Sequence, residues 1–355
     1  MQTTVLVGMS GGVDSTAAAF LLKENGYCVR GITMEVAPRD AKSCGNSCYG
    51  PENIAEIKKI AAALGIEHAS LDLREEYAGA VLEYFKEEYL KGRTPNPCVM
   101  CNRKVKFGAL LEKAEASGLA FDKFATGHYA RLETGPNGEV LLRSGADRLK
   151  DQTYFLWNIP RAQLTRVLFP LGGLSKKEVR GLMLEAGFTE LARKAESQDF
   201  APPEAVAELL KPHSLPGNIV DAAGKILGRH DGIGGYTIGQ RKGLGIGGVG
   251  EPLFVTSISA EYNTVSVGSR EKLMQKTMRV KALNWISINA PQGRLAVSVK
   301  IRRQHDPARA ELQLESEDVC VVEFKDAQFA PTPGQSAVFY DGELLLGGGI
   351  IDSAG

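Results

Sequence analysis

The run Val5-Leu6-Val7-Gly8-Met9-Ser10-Gly11-Gly12-Val13-Asp14-Ser15 leaves few folds open to the start of this chain. A short β-rich stretch, 3–7, enters a glycine-rich turn, and the turn enters a helical pattern over 15–25 that stops near Gly26. A strand–turn–helix of this kind aims backbone N–H groups and the positive end of a helix at one point, which makes an anion cradle. Gly8, Gly11 and Gly12 let the backbone come close to phosphate. Ser10 and Ser15 add hydroxyls, and Asp14 is placed to hold Mg²⁺, because hard divalent ions prefer carboxylate oxygen together with phosphate. A serine-capped glycine turn would explain Ser-Gly-Gly alone. The complete Ser-Gly-Gly-Val-Asp-Ser behind a buried strand is a far more specific phosphate loop, and it is not a Walker A loop, since no Gly-Lys-Ser/Thr follows.

Strand-like and helix-like segments then alternate. Residues 28–34 read as β, 53–64 as helix, 67–73 as β, 75–91 and 107–116 as helix, and 123–126 as a further strand before Gly127-His128-Tyr129. This order predicts a parallel sheet covered by helices on both faces. Helical patterns continue over 161–165 and 176–185. Beyond Pro202 glycine becomes dense, and short alternating segments such as 253–259 and 264–268 take over. From Lys272 the pattern is all-β, with segments at 279–285, 294–301, 310–314, 319–324, 336–340 and 344–351, which predicts a small closed barrel. The expected division is therefore an α/β phosphate-loop domain over 1–203, a small central β-containing domain over 204–271 and a C-terminal β-barrel over 272–355.

Charge is balanced, 42 basic against 42 acidic residues, so any nucleic-acid contact must rest on local clusters and not on a basic whole. Such clusters occur at Arg103/Lys104/Lys106, Lys176/Lys177, Arg241/Lys242 and Lys300/Arg302/Arg303; a solvated face is the plain explanation for any one of them. Six unevenly spaced cysteines in 355 residues do not make a disulfide scaffold. No signal-peptide pattern or membrane-length apolar run is present, and the expectation is a cytoplasmic protein with reduced thiols and no membrane partner.

Cys98-Val-Met-Cys101, within Thr94-Pro-Asn-Pro-Cys-Val-Met-Cys-Asn-Arg-Lys-Val-Lys-Phe-Gly108, could hold a metal, shuttle electrons or carry sulfur. The wider chain narrows this. The phosphate loop resembles that of the PP-loop ATP pyrophosphatases, which cleave ATP between its α and β phosphates and adenylate an oxygen. Gly127-His128-Tyr129-Ala130, Lys150-Asp151-Gln152-Thr153-Tyr154-Phe155-Leu156, Tyr236-Thr-Ile-Gly-Gln-Arg-Lys-Gly-Leu-Gly245 and Pro333-Gly-Gln-Ser-Ala-Val-Phe-Tyr340 join it in order. Together with the cysteine motif they resemble the bacterial tRNA-specific 2-thiouridylase family, from Met1 to about Ile351.

That resemblance implies ATP-dependent replacement of the C2 oxygen of a wobble uridine by sulfur. ATP and Mg²⁺ serve as cofactors, tRNA as partner, and sulfide or a persulfide-carrying protein as sulfur donor. It implies that Gly8 to Ser15, Met34 and Gly127 bind ATP, with Met34 beside the adenine. It further implies that His128, Lys150, Asp151, Gln152, Arg302, Arg303 and Gln335 lie near tRNA, with Cys101 catalytic and Arg103 to Lys106 a tRNA-facing run. Without it, His128 would be read as a hydrogen-bonded structural histidine and Tyr154-Phe155-Leu156 as core.

The chain departs from the family at one point. The family's second catalytic cysteine, in a Ser-x-x-x-Cys-Phe stretch, aligns with Ala201 of Ser197-Gln-Asp-Phe-Ala201. A substitute set is available in Cys44-Gly-Asn-Ser-Cys48-Tyr-Gly-Pro, a turn-rich loop after the second strand, on the sheet edge where ligands of doubly wound folds gather. Three arrangements stay open. One is a [4Fe–4S] cluster on Cys98, Cys101 and Cys48, with Cys44 as the alternative ligand. The others are a Cys₄ zinc site and a persulfide relay between Cys101 and either Cys98 or a loop cysteine, with Cys98 then catalytic beside Cys101. Cys28 and Cys320, in apolar β-like segments, are expected to be plain buried thiols.

Overall fold

A computed structural model of the chain describes residues 2–37, 51–194, 208–246 and 251–355. The loop cysteines Cys44 and Cys48, position Ala201 and the expected boundary at 203/204 lie outside the described residues. Strands β1 (Thr4–Gly8), β2 (Cys28–Glu35), β3 (Glu67–Asp72) and β4 (Lys123–Ala125) form a parallel sheet. A two-residue strand, Val167–Leu168, extends it beside β4, so the order is β3-β2-β1-β4 and then 167–168. Val5, Leu6 and Val7 at its centre are almost completely buried, as a strand covered on both faces requires. The first helix, α1 (Val13–Glu24), crosses from β1 to β2, and the helix Pro51–Leu64 precedes β3.

A long helix spans Pro97 to Ala116, and its middle, Cys101–Ala109, is wound as a π-helix. Pro97 at the first helical position fits there because that residue needs no intrahelical donor. The π winding is uncommon at this length and marks functional segments more often than structural ones. Phe107, Val105 and Leu110 turn inward from it and pack with Phe124 and Phe169 beneath the sheet.

The C-terminal strands close into the expected barrel. Met274–Trp285, Val319–Phe329, Ala308–Ser316, Leu295–Lys300, Ser336–Asp341 and Leu344–Ala354 pair in that order, and the last pairs back to the first. Closure leaves no free edge except where it is used. A hairpin of the first domain, Ala130–Thr134 with Val140–Ser144, adds to the barrel sheet through Leu344↔Arg143 and Leu345↔Leu142. The sequence reading missed this hairpin, although Gly135-Pro-Asn-Gly-Glu139 between its strands carries a turn signal. Between the two domains lies a four-stranded sheet, Phe254–Ser259, Thr264–Gly268, Gly217–Val220 and Ile226–His230. Cys320 is fully buried in the barrel as expected, whereas Cys28 opens β2 at the sheet end and is only partly buried.

Candidate active site

The phosphate loop lies between β1 and α1. Gly11 takes φ +73°, a left-handed conformation suited to glycine, and a Cβ there would come within 3.0 Å of Ile57. No side chain caps the N-terminus of α1, so its first N–H groups stay available to an anion. Ser15 does not present a free hydroxyl. It donates to Gly12 O (3.1 Å), accepts from the Ser10 N–H (3.1 Å) and meets Ser10 Oγ at 3.1 Å. It shapes the loop, and Ser10, more exposed, faces the cleft.

Gly127, two residues past the end of β4, lies directly against the loop. A Cβ at 127 would sit 2.7 Å from the carbonyl carbon of Asp14 and 2.8 Å from the nitrogen of Ser15. The requirement for glycine there is therefore one of contact, since a side chain would push the loop away.

These parts surround one cleft. Its walls include Gly8, Ser10, Asp14 and Gly127 at the loop end, and Ile32, Met34 and Leu110 at an apolar end. His128, Gln152 and Lys106 complete it. Met34 is buried on β2 and offers a flat thioether surface suited to a purine ring. Of the residues expected at ATP, Gly8, Met9, Ser10, Asp14, Ser15, Met34 and Gly127 line this cleft, whereas Gly11, Gly12 and Val13 do not; His128 and Gln152, expected near tRNA, line it as well. Sequence reasoning missed Ile32, Leu110 and Thr126, whose types carry no chemical signal.

Asp14 is the most constrained charge in the site. Lys176 Nζ donates to both of its oxygens, at 2.7 and 2.8 Å, and Tyr129 OH donates to Oδ1 at 2.8 Å. Lys176 is only 8 % exposed, so the lysine of this basic cluster is not a solvated residue. Both oxygens accept from these donors, so a Mg²⁺ bound here would share Asp14 with Lys176.

His128 Nδ1 shares a 2.7 Å hydrogen bond with Thr126 Oγ1, and its ring stacks on Phe107. Burial, followed by the charge of Lys106, holds its pKa well below 6.5, so the ring is neutral at neutral pH. The basic run 103–106 divides. Arg103 donates to Asn158 Oδ1, Lys104 is exposed, and Lys106 enters the cleft while donating to Asn102 Oδ1 at 3.0 Å.

Cys98 and Cys101 are both free thiols near the N-terminus of the long helix. Burial pushes Cys98 up to about 11, with Cys101 adding to the shift and Lys106 and Arg303 opposing it. Burial likewise raises Cys101, against the pull of Lys106. Among the described residues no three His, Cys, Asp or Glu side chains are placed to hold a metal, and two thiols do not complete a cluster site.

The turn before these cysteines is held by the other domains. Gln335 Nε2 donates to Thr94 O and Pro95 O (3.1 and 3.2 Å), Thr94 N donates to Pro333 O, and Thr94 Oγ1 reaches Thr237. Arg93 donates to Ile351 O and pairs with Asp352. The remaining candidates carry structural bonds as well. Asp151 Oδ1 accepts from Gly145 N and Thr153, Gln152 Oε1 accepts from Tyr129 N, and Arg302 donates to Phe329 O. Arg303 lies over the ring of Phe155, and Lys150 is partly exposed at the rim of the same segment.

The chain matches the family described as "tRNA methyl transferase HUP domain" over residues 3–201, the "PRC-barrel domain" of the same family over 205–269, and an "Aminomethyltransferase beta-barrel domain" over 275–351. A protein of Endomicrobium trichonymphae named tRNA-specific 2-thiouridylase MnmA is 44% identical over 358 residues, 99% of each chain. The chain belongs to the tRNA-specific 2-thiouridylase family. A further 2-thiouridylase, from Desulfitobacterium hafniense, is 42% identical over 98% of this chain and 97% of its own. Among solved structures, a 4-thiouridine synthetase–RNA complex with bound ATP aligns with TM-score 0.38 and 19% identity, covering 58% of this chain and 49% of that one. Among the described residues no helix is long and apolar enough to cross a membrane.

Proposed function

We propose that this chain is an ATP-dependent tRNA 2-thiolation enzyme acting on a wobble uridine. The observation that carries the reading is a single helix that delivers Cys98 and Cys101 at one end and, farther along, lines the phosphate-loop cleft with Lys106 and Leu110. Similarity to curated 2-thiouridylases over nearly the whole chain supports the same reading. A carbonyl oxygen is a poor leaving group, and adenylation makes it a good one, so a nucleotide site and a thiol site on one helix suit this chemistry.

Adenine lies against Met34, Ile32 and Leu110, and the phosphates lie on the loop from Gly8 to Ser15, with Gly127 behind it. The uridine O2 attacks the α-phosphorus and pyrophosphate leaves. The outer sulfur of a persulfide on Cys101, placed there by a persulfide-carrying donor, then attacks C2, and AMP departs with the original oxygen. Position 201 is alanine, so Cys98 beside Cys101 is the available resolving thiol. It attacks the Cys101 sulfur, the bond from that sulfur to the base-bound sulfur breaks to leave 2-thiouridine, and a thiol reductant reopens the Cys98–Cys101 disulfide so formed. The target base reaches the cleft from a single-stranded loop, which can be splayed out at low cost. His128 and Gln152 meet it at the cleft wall, while Lys150, Asp151, Arg302, Arg303 and Gln335 line the approach.

A [4Fe–4S] cluster would need Cys48 or Cys44 to join Cys98 and Cys101, and no step here is routed through it. Iron and sulfide analysis of anaerobically purified protein decides that point separately. The function itself is tested by incubating the protein with unmodified tRNA, ATP, a persulfide-carrying sulfur donor and a thiol reductant and analysing nucleosides by mass spectrometry. Appearance of 2-thiouridine with equimolar AMP is expected. Absence of both under anaerobic conditions refutes the proposal.

A further inference from the structure

Lys106 is the only lysine or arginine among the described residues that line the cleft. Its hydrogen-bond partner is the neutral Asn102 Oδ1 at 3.0 Å, and among the described residues no carboxylate pairs with it. By contrast Lys176, the buried lysine near the loop, is committed to both oxygens of Asp14. Lys106 therefore brings one uncompensated positive charge to a cleft shaped for an anion.

Its position in the helix says which part of the anion it meets. The order is Cys101, Lys106, Leu110, and Leu110 belongs to the apolar wall with Met34 and Ile32. The π winding over Cys101–Ala109, with i→i+5 hydrogen bonds, brings residues four and five apart onto one face, so Lys106 follows Cys101 on the side that also carries Asn102. The α-phosphate is the one group of ATP that must meet the nucleoside, the pyrophosphate on the loop and the incoming base at the same point. The field of Lys106 is felt at each of these borders, since it opposes the burial-driven rise of Cys98 and Cys101 and adds to the depression of His128.

Resting on the thiolation reading above, we infer that Lys106 is a catalytic residue of the adenylation step, holding the α-phosphate from the cysteine side while the phosphate loop holds the pyrophosphate. In that step a bond forms between the uridine O2 and the α-phosphorus, and the bond from that phosphorus to the bridging oxygen breaks. Pyrophosphate leaves with the electron pair, and the uridine N3 proton passes to water. Negative charge gathers on the non-bridging oxygens of the α-phosphate at the transition state, where a fixed ammonium group in a sheltered cleft counts most. The sequence placed Lys106 in a tRNA-facing run because the π turn that rotates it inward has no sequence signature.

The test compares Lys106→Met, which keeps the packing of the stem, with Lys106→Arg, which keeps the charge. ATP affinity and single-turnover AMP formation with tRNA are measured for both and for the unmodified protein. Lys106→Met should slow AMP formation about 100-fold, as loss of one oxyanion-type donor does, and weaken ATP binding by less than about tenfold, since the loop still holds the pyrophosphate. Lys106→Arg should recover at least about a tenth of the lost rate. An unmodified protein that forms no AMP with tRNA overturns the thiolation reading. An active unmodified protein with an unimpaired Lys106→Met variant overturns the role of Lys106 alone. A Lys106→Met defect that Lys106→Arg does not relieve, with ATP affinity lost in proportion, also overturns it and assigns the residue to structure.

Discussion

Gly127→Ala isolates the contact between the segment after β4 and the phosphate loop. The added methyl would lie 2.7 Å from Asp14 C, 2.8 Å from Ser15 N and 2.9 Å from Asp14 O, all backbone atoms that cannot rotate aside. Relaxed carbon contacts lie at about 3.5–4.0 Å, so the loop must retreat by roughly 0.8 Å or more. Overpacking of this kind costs about 1–3 kcal/mol of stability. The functional cost should be larger, because a displacement of about 1 Å in positioning groups can reduce a rate about 100-fold. Loss of one N–H bond to phosphate, at about 1.5–3 kcal/mol, corresponds to an ATP affinity about 10–100-fold weaker. Calorimetric titration of ATP, alongside thermal melting, checks both numbers. Gly181→Ala is the control: a methyl added to that helical glycine would meet nothing within 4 Å, and alanine there should add about 0.5–1 kcal/mol. A Gly127→Ala protein with unaltered ATP affinity would refute the claim that this glycine is pressed against the loop.

Removing the partner of Asp14 by Lys176→Met should lower stability by about 1–3 kcal/mol, since charge-assisted bonds to a partly buried carboxylate are lost. ATP binding should weaken with it; melting curves and nucleotide titration report the two effects separately. Gly334→Ala meets a different obstacle, φ +93° together with Thr94 backbone atoms at 2.8–2.9 Å, and should disturb the turn that carries the cysteines. Thiolation should fall while ATP affinity stays within about twofold, because the nucleotide loop is not part of that junction; equal losses in both would count against the assignment. The third concerns pH. His68, His128, His230 and His305 all have folded-state pKa values held down, chiefly by burial. Each therefore adds stability that is full above the ordinary value of 6.5 and is lost as pH falls below it toward the folded value, where the unfolded chain alone takes up protons. The melting temperature should drop between pH 7 and pH 5, and less steeply for His230→Asn; a flat profile would contradict these shifts.

Much of the architecture was readable because it repeats locally. Alternating apolar residues announced the barrel strands, and strand 264–268 was read to the residue as the structure has it. The phosphate loop was legible because its glycines and hydroxyls sit within six consecutive positions. The hairpin over 130–144 was overlooked despite its Asn137-Gly138 turn, and its docking on Leu344 and Leu345, some 200 residues away, has no local signal. Nor was Ser15's inward role legible, because Ser10 and Ser15 offer the same hydroxyl and only the turn decides which one is consumed internally.

The sequence by itself determined the layers, the anion cradle and the thiols near it, since each depends on residue types at short spacing. Tertiary structure alone decided which charges serve the site. Lys176 reaches Asp14 across 162 positions, Gln335 fixes Thr94 across 241, and a π turn swings Lys106 from an outward basic run into the cleft. Charges act through distance in space, and no local pattern records which distant side chain the fold will bring within 3 Å.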